Sequence, residues 1–104
     1  IKLGKSGGIF KALKMVKLVE AAGMHLQVGA FMESRLAMTA FAHFACCSPI
    51  IEHYDFDTAL MFQEDPVSGG IIYRPNGLIE LPTQPGLGAG IKPEWEKKME
   101  KIIC

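Results

Sequence analysis

The strongest constraint on the fold is an alternation that fills the first half of the chain. Short apolar runs at Ile1–Leu3, His25–Ala30 and Ile50–Asp57 are separated by two segments with helical periodicity. Between residues 9 and 22, Ile9, Ala12, Leu13, Val16 and Val19 recur at helical spacing, with Lys11, Lys14, Lys17 and Glu20 on the other side. Ser6 is a candidate N-cap for this helix and Gly23 a suitable C′ residue. A second helix is predicted from about Arg35 to Cys47. It is apolar on most sides through Leu36, Met38, Ala40, Phe41, Phe44 and Ala45, which suits a buried layer. Ser34 is its candidate cap and Pro49 its stop, and His43 reads as a satisfied core histidine. The order β-loop-α-β-loop-α-β with short connections implies right-handed crossovers and a parallel sheet. The fold class is therefore α/β, either doubly wound or a barrel.

From Gln63 the character changes. Asp65-Pro66 and Gly69-Gly70 read as turns, and Asn76-Gly77 between Ile71–Tyr73 and Leu78–Glu80 predicts a hairpin. Leu81–Gly90 reads as extended and turn-rich. A last helix is expected from about Pro93, carrying Trp95, Met99, Ile102 and Ile103.

Composition narrows the function classes. The 104 residues amount to about one small domain, 49% hydrophobic and 21% charged. Eleven basic residues balance eleven acidic ones, so nothing supplies a basic face for nucleic acid. No apolar run reaches the ~18 residues of a membrane-spanning helix, and no leader is visible. Cys46, Cys47 and Cys104 are odd in number, two of them adjacent, so no disulfide framework suggests itself. They are expected to be reduced, core-facing thiols of a cytoplasmic protein. Without a CxxC or a cysteine–histidine spacing, no zinc site is expected. The chain opens inside a strand, and a parallel strand needs neighbours on both sides. The expectation is the C-terminal fragment of a longer protein.

Chemistry is expected at the carboxyl ends of parallel strands, where α/β folds place it. Lys2 sits at such an end, turned to the opposite face from Ile1 and Leu3. It is a candidate base, nucleophile or anion clamp, against a lysine that merely snorkels from a strand edge. At the third strand's end, alternation puts Asp55 and Asp57 on one face and Phe56 on the other. Two carboxylates so spaced suit a metal or an ammonium group, unless one of them caps a following turn. Gly4-Lys5-Ser6 lacks the glycine-started loop of a phosphate-binding P-loop, and Gly7-Gly8 would break its helix. Gly86-Leu87-Gly88 follows no strand and opens no helix, which removes a dinucleotide reading.

Taken together, Ile1–Gly8, Val28–Ser34, Asp55-Phe56-Asp57 and Pro85–Gly88 resemble the C-terminal part of enolase-superfamily enzymes of the muconate-lactonizing subgroup. Within it they most resemble the dipeptide epimerases, typified by L-Ala-D/L-Glu epimerase, from residue 1 to about residue 90. The resemblance implies a modified TIM barrel, (β/α)7β, joined to a capping domain. Residues 1–62 would hold the sixth, seventh and eighth strands with their helices. Residues 63–104 would form a hairpin and tail returning toward the capping domain. Lys2 matches the lysine that, with a second on another strand, flanks the substrate α-carbon. One removes the α-proton and the other returns a proton to the opposite face. Asp55 and Asp57 match a pair that binds a dipeptide's α-ammonium, and Ala30 and Met32 match loop positions whose backbone contacts the dipeptide. Lys5 would add positive potential.

The cofactor implied is Mg2+, with its ligands, like the second lysine, outside this chain. The partners implied are a small-molecule dipeptide, the rest of the parent chain and further copies in a homo-oligomer, with neither nucleic acid nor membrane. The fragment alone is expected to be inactive. Ala30 stands where the glutamate-specific enzyme has serine, which leaves the preferred side chain open. Muconate or chloromuconate cycloisomerases carry a glutamate at the position of Asp55 and lack the second aspartate. The substrates of N-acylamino acid racemases and o-succinylbenzoate synthases have no free ammonium for such a pair. Outside the superfamily, Lys2 as the nucleophile of a Schiff-base aldolase, or a binding domain without catalysis, are the other readings.

Overall fold

The computed structural model describes residues 1–100; Lys101 to Cys104, including Ile102 and Ile103, lie outside the described residues. Its elements in chain order are α1 (Ile9–Ala21), β1 (Leu26–Val28), α2 (Arg35–Ala45), β2 (Ile51–Tyr54), β3 (Val67–Gly69), β4 (Ile72–Tyr73), β5 (Ile79–Glu80), β6 (Ala89–Ile91) and α3 (Pro93–Glu96). Among the described residues no helix is long and apolar enough to cross a membrane.

The parallel core is as the alternation predicts. β1 pairs with β2 in parallel, Leu26 opposite Ile51 and Val28 opposite Tyr54, with an irregularity after Leu26. The ladder runs one bond further, Asp55 N–H donating to Val28 O at 2.9 Å. On the other side of β1, the Ile1 amino group donates to Gln27 O and Gly29 N–H donates to Ile1 O. That is parallel pairing of Ile1 with Val28, although the segment is too short to count as a strand. Three segments thus end side by side in the order Ile1-Lys2, β1, β2.

The loop after Lys2 is closed by its own backbone. Lys5 and Ser6 N–H both donate to Lys2 O, and Gly8 N–H donates to Leu3 O. Ser6 is buried and caps nothing; the N-cap of α1 is Gly8 at φ 88°. Successive positive φ angles at Gly7 and Gly8 set the start of α1 at Ile9, as the periodicity predicts, and only glycine adopts that conformation without strain. The C-terminus of α1 closes as expected, Gly23 N–H on Glu20 O and Met24 N–H on Val19 O. Of its apolar stripe, Ala12 and Val16 are buried and Val19 partly so, whereas Ile9 and Leu13 are exposed.

α2 supplies the thickest part of the core. Met38, Phe41, Ala42, Phe44 and Ala45 pack with Leu3, Val28, Ala30, Ile51, Phe56 and Ile71. Ser34 occupies its N-cap position without a side-chain cap bond. The helix ends at Ala45, so Cys46 and Cys47 fall in the turn beyond it. Both are free and exposed, which corrects the expectation of core-facing thiols. His43 is half-buried, its Nε2 3.3 Å from Leu87 O.

The tail is more ordered than its sequence suggests. The predicted hairpin is β4 with β5, Ile72 opposite Glu80, and Asn76 takes the left-handed conformation in the turn. A second antiparallel pair joins β3, which runs into the Gly69-Gly70 turn, to β6, which begins at the end of the turn-rich stretch. Arg35, at the start of α2, holds this tail down. Its guanidinium donates to Asp65 Oδ2 at 2.6–2.7 Å, to Val67 O at 2.7 Å, to Ile71 O at 3.2 Å and to Gly69 O. One turn on, the buried Thr39 Oγ1 accepts from Ile71 N–H at 3.0 Å and donates to Arg35 O at 2.7 Å. A Cβ at Gly70, whose φ is +83°, would lie 2.6 Å from that hydroxyl, so the close approach of tail and helix requires glycine there.

Candidate active site

Alternation gives the sheet two unlike faces. Leu3, Val28, Ala30 and Phe56 are buried toward the helices, whereas Lys2 and Asp55 turn the other way with Gly29 between them. A Cβ on Gly29 would lie 3.5 Å from Lys2 Cε and 3.9 Å from Asp55 Oδ2. Gly29 is therefore the gap, one methyl group wide, across which the lysine and the carboxylate face each other. Among the described residues Lys2 nevertheless makes no ion pair.

The Lys2 ammonium is held by the loop leaving β1. Nζ donates to Ala30 O at 2.7 Å and lies 4.7 Å from the centroid of the Phe31 ring. Lys5 Nζ is 5.3 Å from the same centroid. The loop is itself braced, since Glu33 Oε2 accepts from Phe31 N–H at 3.1 Å. Glu33 also meets Thr58 Oγ1 at 3.5 Å through its N–H and its carbonyl. Thr58 directly follows Asp57, so the loops at the ends of β1 and β2 are joined behind the site.

The structure brings Lys2, Ala30 and Asp55 together. Met32 is in the same loop, its side chain 65% exposed at the rim. Asp57 is also exposed, with helical backbone (φ −85°, ψ −16°) at the head of a 3-10 turn over Thr58–Met61. Its carboxylate makes no cap hydrogen bond there; the bond from Leu60 N–H goes to its carbonyl. It lines an open groove of about 660 Å³ with Tyr54, Phe56, Leu60 and Tyr73. Tyr73 donates to Phe56 O at 2.5 Å. Burial pushes its phenol above the usual value, Asp57 and Asp65 push the same way, and Arg35 opposes them. Gly29, Phe31 and Glu33 were assigned no role from sequence. The signal for Gly29 lies in the register: a chain that pairs Ile1 with Val28 and Val28 with Tyr54 must put Gly29 between Lys2 and Asp55.

The family described as enolase C-terminal domain-like matches residues 1–95. The chain belongs to that family. It is 53% identical to the D-Ala-D/L-Ala epimerase of Cytophaga hutchinsonii over 102 residues, 98% of this chain and 28% of that protein. It is 44% identical to the L-Ala-D/L-Glu epimerase of Bacillus subtilis over 88 residues, 85% of this chain and 24% of that protein. The crystal structure of the C. hutchinsonii dipeptide epimerase complexed with Mg and D-Ala-L-Val superposes with a TM-score of 0.92, over 97% of this chain and 27% of that one. The chain thus spans about a quarter of the length of these relatives, and it matches the C-terminal barrel portion of a TIM-barrel enzyme.

Proposed function

We propose that this chain is part of a dipeptide epimerase in which Lys2 is one of two opposed acid–base lysines. The observation that carries the reading is the grouping of Lys2, Gly29 and Asp55 at three adjacent strand ends, in a chain more than half identical to a dipeptide epimerase. The Lys2 amine would take the α-proton of one residue of the dipeptide, and the C–H electron pair would move onto the adjacent carbonyl as an enolate. A proton delivered to the other face by a lysine outside this chain would re-form the C–H bond with inverted configuration. Asp55 and Asp57 would hold the α-ammonium by charge-assisted hydrogen bonds, and the Ala30 and Met32 backbone would contact the dipeptide.

Residues 1–62 would belong to the barrel, and residues 63–104 would return toward a capping domain, in an assembly of identical subunits. Two free, exposed thiols side by side suit a reducing, cytoplasmic setting. The residues described here do not suit Mg2+: among them no three His, Cys, Asp or Glu side chains form a group that could hold a metal. Any Mg2+ would therefore be bound by other parts of the parent enzyme.

The loop chemistry favours small apolar dipeptides. Ala30 is buried beside Lys2, and Phe31 and Met32 offer apolar surface at the rim. The test uses the full-length enzyme with Mg2+ in D2O, offered D-Ala-L-Ala, D-Ala-D-Ala, L-Ala-L-Glu and L-Ala-D-Glu. Deuterium at one α-carbon of the Ala-Ala dipeptides, together with loss of their interconversion in Lys2→Ala, supports the reading. No incorporation into any of the four would refute it.

A further inference from the structure

We infer that Phe31 is a positioning residue for Lys2, resting on the reading of Lys2 as an acid–base group. The ring is 43% exposed at the mouth of the strand ends, while its neighbours Val28, Gly29 and Ala30 are buried. The ring is not part of the core cluster or of the residues packed against it. Its face meets two cations, Lys2 Nζ at 4.7 Å and Lys5 Nζ at 5.3 Å from its centroid, both within the range of cation–π attraction. It also fills the space beside the loop that carries both lysines, since a Cβ on Gly4 would touch Cε2 and Cδ2 of the ring at 3.8–3.9 Å.

The need for such a shelf follows from lysine itself. Its flexible four-carbon stem samples many rotamers, whereas a proton-transfer group must sit within about 3 Å of the proton it moves. A hydrogen bond to Ala30 O confines the ammonium from one side and the ring face from another. The ring face also walls the lysine in by contact, so the neutral amine keeps a second restraint when Nζ leaves the carbonyl for substrate, and the ammonium formed by proton transfer gains the cation–π attraction. The backbone that carries the ring is in turn held by the Glu33 carboxylate, which accepts from the Phe31 N–H.

The experiment compares full-length wild-type enzyme with Phe31→Leu, Phe31→Tyr and Lys2→Ala. It measures α-proton exchange into D2O separately from D-Ala-L-Ala and D-Ala-D-Ala, with the unfolding midpoint of each protein alongside. With two opposed bases, Lys2 takes the proton from only one epimer. Phe31→Leu is expected to slow exchange from that epimer about tenfold or more, through kcat rather than KM. The other epimer's exchange and the unfolding midpoint should hardly move, and Phe31→Tyr, which keeps the ring face, should restore the rate. Equal slowing of both epimers, or no slowing at all, overturns the positioning role. If Lys2→Ala leaves both exchange rates intact, Lys2 is no base and the inference falls with that reading. If Lys2→Ala silences one epimer and Phe31→Leu neither, only the role of Phe31 falls.

Discussion

A single missing side chain sets the geometry of the candidate site. With hydrogen at Gly29, Lys2 and Asp55 border one shallow lane; a methyl group there would stand in ordinary van der Waals contact with both, 3.5 and 3.9 Å away. Gly29→Ala is therefore expected to leave the unfolding midpoint nearly unchanged while lowering epimerisation about tenfold, because the clash is with substrate rather than with protein. Asp55 is predicted to act differently. Replacing it with Asn keeps the shape but removes a charge-assisted hydrogen bond to the ammonium, an interaction of about 1.5–3 kcal/mol. Initial-rate kinetics on Asp55→Asn should show KM raised about ten- to a hundredfold, with a smaller change in kcat. A larger fall in kcat than rise in KM would place Asp55 in the chemistry instead of in binding.

Between elements, the contacts that matter are those that tie the tail to α2. Arg35 satisfies one carboxylate and the carbonyls of Val67, Gly69 and Ile71. Arg35→Met would leave those carbonyls without their donor, and urea denaturation is expected to report a loss of about 2–3 kcal/mol. Tyr73 joins the same tail to the residue after Asp55, and its phenol is held above its usual value of 10.0 chiefly by burial. The folded state then holds that proton more tightly than the unfolded one. Stability from Tyr73 is complete below pH 10 and drains away as pH rises from there toward the higher folded value. Tyr73→Phe should flatten this alkaline fall in a pH series of denaturation curves.

The elements differ in how far the sequence announces them. α1, α2 and the three parallel segments follow from apolar periodicity, and the hairpin follows from Asn76-Gly77; these signals are local. The pairing of β3 with β6 was not legible. Val67–Gly69 and Ala89–Ile91 are three residues each, with glycine in both, and their partner lies some twenty residues away. The Arg35 clamp was equally hidden, because backbone carbonyls from 67 to 71 carry no residue-type signature. The same limit hid Phe31 in its contact with the two lysines.

At the scale of the whole chain, the structure is one-sided. Its core lies between the strands and α1 and α2, while the face carrying Lys2, Gln27, His53 and Asp55 is at least partly open. Phe10 and Leu18 on α1 are each 72% exposed, and Leu60, Met61 and Leu78 lie open on the tail side. An inversion needs a proton removed on one face of the α-carbon and a proton delivered on the other. Among the described residues Lys2 is the lysine that borders Gly29 and Asp55, and it would reach a substrate from one side alone. Nor do the described residues group acidic side chains that could hold a metal against an enolate. The 104-residue chain prepared by itself is thus predicted to give no interconversion of D-Ala-L-Ala and D-Ala-D-Ala on chiral chromatography, even with Mg2+ added. The full-length enzyme should interconvert them under the same conditions. Turnover by the short chain would mean that Lys2 works without an opposed base, and a one-base mechanism would then replace the one proposed here.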